Sequence, residues 1–434
     1  MALSTQPYKG ARDFYPGDKR LQKYMFGVMR AVCERFGYEE YDAPILEPTE
    51  LYLQKGNEEI ISEQTYTFED RGGRSVTLRT EMTPTVSRMV AAKRQELTYP
   101  LRWYSIPNCW RYERPQKGRG REFYQLNVDL FGVDGVIAEH EVIQVADSVM
   151  QAFGAKRDMY QIKIASRQLI DTIMQEYLEL DSSQAVQLIR LIDKLNKISA
   201  ESFRSQAEDI IGGEHKVEKM QKLVTVLETT SIDDLPALFT HHASALKIKE
   251  LLEMLDASGI SNAIFDITLM RGFDYYTDIV FEVFDTDPEN NRSMFGGGRY
   301  DGLLTMFGVE PVPTVGFGMG DITMQNFLTA HDLMPVLKHE HNLYVILIGD
   351  KMYQKSLKIL NELREMGVNT FVDMSGRKID KQLKNADKMG ASYVLFIGED
   401  ELEREQFKLK DLGSGNEEFH SLQRIVTIVK DIRA

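Results

Sequence analysis

The sequence predicts an α/β protein: an antiparallel sheet flanked by helices, a helical insertion, and a C-terminal parallel α/β domain. Three observations carry this. Two extended runs, Leu101 to Tyr112 and Glu122 to Phe131, flank a basic, glycine-containing loop and read as a long hairpin. From about Ser166 to Gly259 the pattern turns helical, rich in Leu, Ile, Lys, Asp and Glu. Beyond Leu343, strand and helix patterns alternate, as in a parallel sheet covered by helices. At 434 residues the chain exceeds the roughly 250–300 at which a single core stops growing. A first domain is expected over 1–330, with the insertion at about 166–259, then a polar linker at 331–342 and a second domain at 343–434.

Taken in order, Leu21, Tyr24, Met25, Val28, Met29, Val32 and Phe36 recur at three and four and form the stripe of an amphipathic helix. Tyr38 to Leu46 is extended, and Pro44 suits it to an edge, where a partner subunit could pair. Val76 to Arg79 is a short strand. Thr83-Pro84 then resembles an N-cap and N1 proline opening a helix to about Lys93. After the insertion, strands resume at Ala263 to Leu269 and Tyr276 to Phe284, followed by a glycine-rich run from Gly296 to Gly320 that closes the first domain. The second domain reads as strand Leu343 to Ile348, helix Tyr353 to Met366, strand Asn369 to Val372, helix Ile379 to Met389 and strand Tyr393 to Ile397. No G-x-G-x-x-G follows its first strand, which argues against a dinucleotide site.

Composition excludes several classes. With 43% hydrophobic and 27% charged residues the chain is of ordinary globular type. The opening ten residues lack an apolar segment flanked by positive charge, and no later stretch reaches membrane-span length, so a cytoplasmic protein is expected. Cys33 and Cys109 supply neither a disulfide framework nor a Cys-x-x-Cys site, and no H-E-x-x-H occurs, so no protein-bound metal is expected. A formal charge of −14 argues against broad affinity for nucleic acid. Any such contact is local, and the densest basic cluster is Arg111, Arg114, Lys117, Arg119 and Arg121 in the hairpin.

Alternation places Phe123, Gln125, Asn127 and Asp129 on one face of the second hairpin strand and Tyr124, Leu126, Val128 and Leu130 on the other. Arg111 and Glu113 join the polar face. It offers a planar cation, an aromatic surface for a base, and carboxylates and amides for an amine: a site for a nucleotide phosphate and an amino acid. A solvated outer face with surface ion pairs fits the same alternation.

The segment Trp110 to Phe123 resembles motif 2 of the class II aminoacyl-tRNA synthetases. More narrowly, Arg271-Gly-Phe-Asp-Tyr-Tyr-Thr277 and Gly297-Gly-Arg-Tyr-Asp-Gly302 resemble two signatures of the histidyl-tRNA synthetase family, supported by Thr65 to Asp70 and Thr77 to Glu81. The resemblance runs along nearly the whole chain. It implies a ligase that activates L-histidine with ATP, accompanied by Mg2+, and transfers it from a histidyl-adenylate to the 3′ end of tRNA(His). By similarity Arg111 and Arg271 are the catalytic residues, stabilising charge at the α-phosphate. Arg111, Glu113, Arg119 and Phe123 bind ATP, with Phe123 stacked on adenine and Arg119 on the γ-phosphate. Glu81, Thr83 and Gln125 receive the amino group of histidine, Arg271 also touches that substrate, and Asp129, Tyr276 and Tyr300 read the imidazole. Gln116 and Arg121 approach the acceptor end of the tRNA.

The resemblance further implies a homodimer through Phe36 to Leu51 and an anticodon-binding role for 343–434. One departure stands out. Motif 3 of the family ends in Gly-x-Glu-Arg, whereas Gly316-Phe-Gly-Met-Gly-Asp-Ile-Thr323 has no arginine. Either another cation, such as Arg119 or Arg299, covers the phosphate, or ATP binding is impaired; compensation is the expected outcome. The rivals are non-catalytic paralogues that sense histidine or uncharged tRNA.

Overall fold

The computed structural model describes residues 3–53, 64–113, 118–195, 198–239, 241–269, 275–290, 292–337 and 343–431. The chain divides into two units, Met1–Pro335 and Val336–Ala434.

The first unit opens with helix α1 (Pro16–Arg35), which begins where Pro16 sets the first turn and the Asp18 carboxylate accepts from the Tyr15 N–H at 3.2 Å. Its stripe Met25, Met29, Val32 and Cys33 is buried, as the periodicity requires. The unit's strands are β1 (Glu39–Glu40), β2 (Leu46–Pro48), β3 (Thr67–Glu69), β4 (Ser75–Leu78), β5 (Leu101–Ser105), β6 (Asn108–Trp110), β7 (Glu122–Phe131), β8 (Tyr160–Ser166), β9 (Ala263–Phe265), β10 (Ile279–Asp285), β11 (Ser293–Arg299) and β12 (Thr314–Gly320). The main sheet runs β1-β5-β7-β12-β11-β10-β8-β9, with β6 paired to the start of β7. Only its ends, β1/β5 and β8/β9, are parallel; the interior is antiparallel. A smaller sheet, β2-β4-β3, stands apart.

Two local expectations change. The first arm of the hairpin is not continuous but splits into β5 and β6 around Ile106-Pro107, because Pro107 has no N–H to give the ladder; its carbonyl accepts from Gln125 N at 3.2 Å instead. Thr83 is not a helix cap. It lies inside helix α3 (Thr83–Lys93), whose cap position is Met82, while the four-residue α2 (Glu50–Leu53) lies earlier in the chain.

Leu126, Val128 and Leu130 of β7 face a core continuous with α1 and α4 (Ile137–Ala152). Between β8 and β9 the insertion comprises α5 (Arg167–Thr172), which runs on through a π-turn at Ile173–Tyr177, then α6 (Ser182–Ile192), α7 (Ala200–Ile211), α8 (Lys216–Leu227) and α9 (Ala243–Ala257). Helix α10 (Asp321–Ala330) follows β12.

In the second unit, β13 (Leu343–Leu347), β14 (Thr370–Val372) and β15 (Tyr393–Ile397) are parallel, with α11 (Met352–Glu365), α12 (Ile379–Lys388), α13 (Glu399–Arg404) and α14 (Leu422–Asp431). Two further strands, β16 (Phe407–Asp411) and β17 (Glu417–His420), extend the sheet antiparallel, making it mixed. Separate apolar clusters around Leu343, Val345 and Leu395 and around Tyr344, Ile346 and Phe396 cover its two faces, as strand alternation demands. Among the described residues no helix is long and apolar enough to cross a membrane, and no group of three His, Cys, Asp or Glu is placed to hold a metal ion.

Candidate active site

A cavity opens on the polar face of the main sheet. Glu81 and Thr83 reach it from the start of α3, Arg111 from the end of β6, Gln125 and Asn127 from β7, and Tyr275, Tyr276, Val280, Phe281 and Glu282 from the approach to β10 and that strand. Gly296, Gly297, Tyr300, Gly316, Phe317 and Gly318 complete the wall. Glycine is required on β12 by close approach. A Cβ on Gly316 would lie 2.6 Å from the Val128 carbonyl and nearer still to the Asp129 carboxylate, and one on Gly318 would lie 2.5 Å from Gln125 Nε2. Both polar side chains of β7 therefore lie across a strand that has no side chains in their way.

Six of the residues predicted for the site meet in this cavity: Glu81, Thr83, Arg111, Gln125, Tyr276 and Tyr300. Glu81 is buried, which pushes its carboxyl pKa up against the opposing charge of Arg111 and a hydrogen bond from Tyr275. That bond runs from the Tyr275 hydroxyl to Glu81 Oε2 at 3.0 Å. Arg111 is held by its own backbone and side chain: its N–H donates to the Arg121 carbonyl at 2.9 Å and its Nε to the Thr80 carbonyl at 3.0 Å. The guanidinium lies 5.3 Å from the centre of the Phe123 ring.

Asp129 is 3% exposed and lies on the same face of β7 as Gln125 and Asn127, opposite the cavity residue Gly316. Tyr300 donates its hydroxyl to Oδ1, and Tyr41 approaches Oδ2 at 3.5 Å. Burial pushes the Asp129 carboxyl up to about 7, the two phenols holding it down. Asp129 is thus joined by a hydrogen bond to Tyr300, a residue of the cavity wall.

The remaining predicted residues are placed differently. Arg119 and Glu113 form an ion pair with each other at 3.0 Å, the arginine half-exposed. Arg121 is 9% exposed: its guanidinium packs 3.9 Å from the Tyr112 ring centre and its Nη1 donates to the Tyr8 hydroxyl at 3.0 Å. Arg271 and Gln116 lie outside the described residues.

Arg299, one of the two candidates to replace the motif 3 arginine, is engaged elsewhere. It is gripped by both carboxylate oxygens of Glu139, at 2.6 and 2.8 Å, and its Nη2 donates to the Gly135 carbonyl at 3.0 Å. At the end of the motif itself, the Asp321 carboxylate pairs with Arg12 at 2.7 Å and accepts from Tyr124 N at 2.9 Å, on the core side of β7. Among the described residues that line the cavity, Arg111 is the one cation.

Sequence reasoning missed Tyr275, Glu282 and Tyr41 as parts of this neighbourhood. A signal existed for Glu282: it is the lone charge inside Ile279-Val-Phe-Glu-Val-Phe284 and shares strand parity with Val280. Tyr41 carried no signal, since its partner lies 88 residues away.

A model described as histidyl-tRNA synthetase matches residues 10–321, and one described as an anticodon binding domain matches residues 342–432. A histidine–tRNA ligase of Leptospira biflexa is 41% identical over 430 residues, covering 99% of this chain and 98% of the relative. That of Thermococcus kodakarensis is 35% identical, with 98% of each covered. Among solved structures, the histidyl-tRNA synthetase of Nostoc sp. PCC 7120 superposes with a TM-score of 0.82 at 23% identity over 99% of this chain and all of that one, a likeness of fold.

Proposed function

This chain belongs to the histidyl-tRNA synthetase family, and we propose that it attaches L-histidine to tRNA(His) in two steps through a histidyl-adenylate. The observation that carries the proposal is the convergence of Glu81, Thr83, Arg111, Gln125, Tyr276 and Tyr300 on one cavity. An ionised Glu81, with Thr83 and Gln125, receives the ammonium group of histidine. Tyr276 and the Asp129–Tyr300 pair read the imidazole, because an acceptor and a donor on opposite sides engage both ring nitrogens. The histidine carboxylate then attacks the α-phosphate of ATP, and Arg111 stabilises the charge that gathers there. Arg271 shares that task from the signature heptad and also touches histidine.

ATP lies over Phe123. For Phe123 to take adenine, the Arg111 guanidinium must turn toward the phosphates, giving up its Nε bond to the Thr80 carbonyl and a charge–ring attraction of about 0.5–1 kcal/mol. Arg119 and Glu113 would part as the triphosphate arrives, the arginine taking the γ-phosphate. With Arg299 held by Glu139, Arg119 is the one of these two candidates that stands in for the motif 3 arginine. Mg2+ comes with ATP and neutralises phosphate charge. An ion held mainly by phosphates and water needs only one or two protein carboxylates, and Glu282 on the cavity wall suits that part.

The second unit serves anticodon recognition, and Gln116 meets the acceptor end. Arg121, buried between Tyr8 and Tyr112, serves that end by anchoring the loop. Two copies would pair through Phe36 to Leu51, where β1 forms a sheet edge and Ile45 and Leu46 are exposed. A cytoplasmic location follows from this role. The rival reading, a histidine- or tRNA-sensing paralogue, gains no support from full-length relatives named for the ligase. Histidine-dependent exchange of labelled pyrophosphate into ATP, run against all twenty amino acids, tests the proposal. Exchange with histidine alone is expected; histidine binding without exchange would overturn it.

A further inference from the structure

Both ends of the helical insertion converge on two residues, Thr277, the last of the signature heptad, and Asp278, which follows it. From the first end, Ser166 Oγ donates to Asp278 Oδ1 at 2.8 Å, Arg167 N to the Asp278 carbonyl at 2.9 Å, and Gln168 Nε2 to the Thr277 carbonyl at 3.3 Å. From the last helix, Lys247 Nζ reaches Asp278 Oδ2 at 2.6 Å, and Ser244 Oγ donates to Gln168 Oε1 at 3.4 Å, joining the two ends. On the pocket side, Thr277 N donates to the Arg299 carbonyl at 2.8 Å, and Thr277 Oγ1 accepts from Asp301 N at 3.3 Å.

The consequence is geometric. Tyr276 precedes this pair and Tyr300 lies between its two partners Arg299 and Asp301, so both tyrosines of the cavity wall are referred to the same two residues. Asp278 is 2% exposed, and Lys247, with a side chain 43% exposed, is its ion-pair partner from the insertion. A buried carboxylate that loses its counter-charge must move or take up a proton. Either response shifts Thr277 and, with it, the tyrosines.

We propose that Lys247 is a positioning residue for the histidine pocket: through Asp278 the helical insertion sets where Tyr276 and Tyr300 stand. The inference rests on the histidine-activating role proposed above. It makes the insertion part of the machinery that binds the amino acid, so that anything which moves the α9 end of the insertion changes histidine affinity.

The test uses the full-length enzyme with Lys247→Met and Lys247→Arg, measuring histidine and ATP KM in pyrophosphate exchange together with thermal stability. The expected result is a histidine KM raised about tenfold in Lys247→Met, within the span for substitutions along a coupled network. ATP KM stays unchanged and Lys247→Arg recovers most of the loss. Should Lys247→Met not fold, Gln168→Ala reads the other arm on the same scale. A histidine KM within twofold of the unmodified enzyme, whether or not stability falls, overturns the positioning role. An unmodified enzyme that shows no histidine-dependent exchange overturns the function itself, a separate outcome.

Discussion

The Tyr275 hydroxyl donates to Glu81 Oε2 at 3.0 Å across 194 residues of sequence, tying the signature heptad to the carboxylate assigned to the histidine ammonium. Burial raises the Glu81 pKa and this bond lowers it. Only the ionised carboxylate holds the ammonium well. Tyr275→Phe is therefore expected to move the acid limb of kcat/KM for histidine to higher pH and to weaken histidine by roughly 10-fold or more at neutral pH, the scale of one hydrogen bond to a charged group. An unmoved acid limb would show that Glu81 does not bear the amino group.

Asp129 gives a stability prediction with a definite sign. Its carboxyl rises from 3.8 to about 7 on burial, so between those values the folded state holds a proton that the unfolded state has released. Stability therefore falls as pH rises through that window. Asp129→Asn, which needs no proton, is expected to melt higher than the parent at pH 8, by a margin that narrows at pH 5 and closes only as pH falls below the unfolded value of 3.8, while histidine recognition drops. A stability gap that does not change between the two pH values would place the proton elsewhere.

Arg111→Ala is expected to cost about 10²–10³-fold in adenylate formation, the scale of losing one preorganised charge donor, with a far smaller change in histidine Kd. The same asymmetry is expected of Arg271→Ala. Single-turnover adenylation beside equilibrium binding separates the two, and equal losses in both would remove these arginines from the transition state.

Glu139→Gln leaves Arg299 without its buried partner and is expected to cost about 3–5 kcal/mol in stability, read by denaturant unfolding. The ATP KM of the folded fraction should not move. Arg119→Ala should behave oppositely, raising the ATP KM with little change in stability, since its ion pair is half-exposed.

Gly316→Ala places a methyl 2.6 Å from the Val128 carbonyl. A loss of about 1–3 kcal/mol is expected from overpacking, with a weaker grip on histidine because Asp129 is displaced. Calorimetry and the histidine KM together decide this; a variant as stable as its parent would mean β12 yields more easily than its neighbours suggest.

Much of the fold is legible in the sequence because its cause is local. The stripe of α1 and the parity of β7, with Gln125 and Asn127 on one face and Leu126, Val128 and Leu130 on the other, follow from 3.6- and 2-residue periods that the backbone imposes on any chain. The residue types needed to bind an amino acid and a phosphate are likewise visible, as is the β10 carboxylate Glu282 to a reader of strand alternation. Strands β16 and β17 escape because Phe407-Lys-Leu-Lys-Asp411 and Glu417-Glu-Phe-His420 are short and charged, and their pairing rather than their composition makes them strands.

Who meets whom is a different matter. That Arg299 turns to Glu139, that Arg119 and Glu113 hold each other, and that Asp129 accepts from Tyr300 are decided by sheet order and burial. Periodicity carries no information on which distant strand becomes a neighbour. A buried charge takes whatever partner that neighbourhood provides, because leaving it unpaired costs more than any local preference can supply.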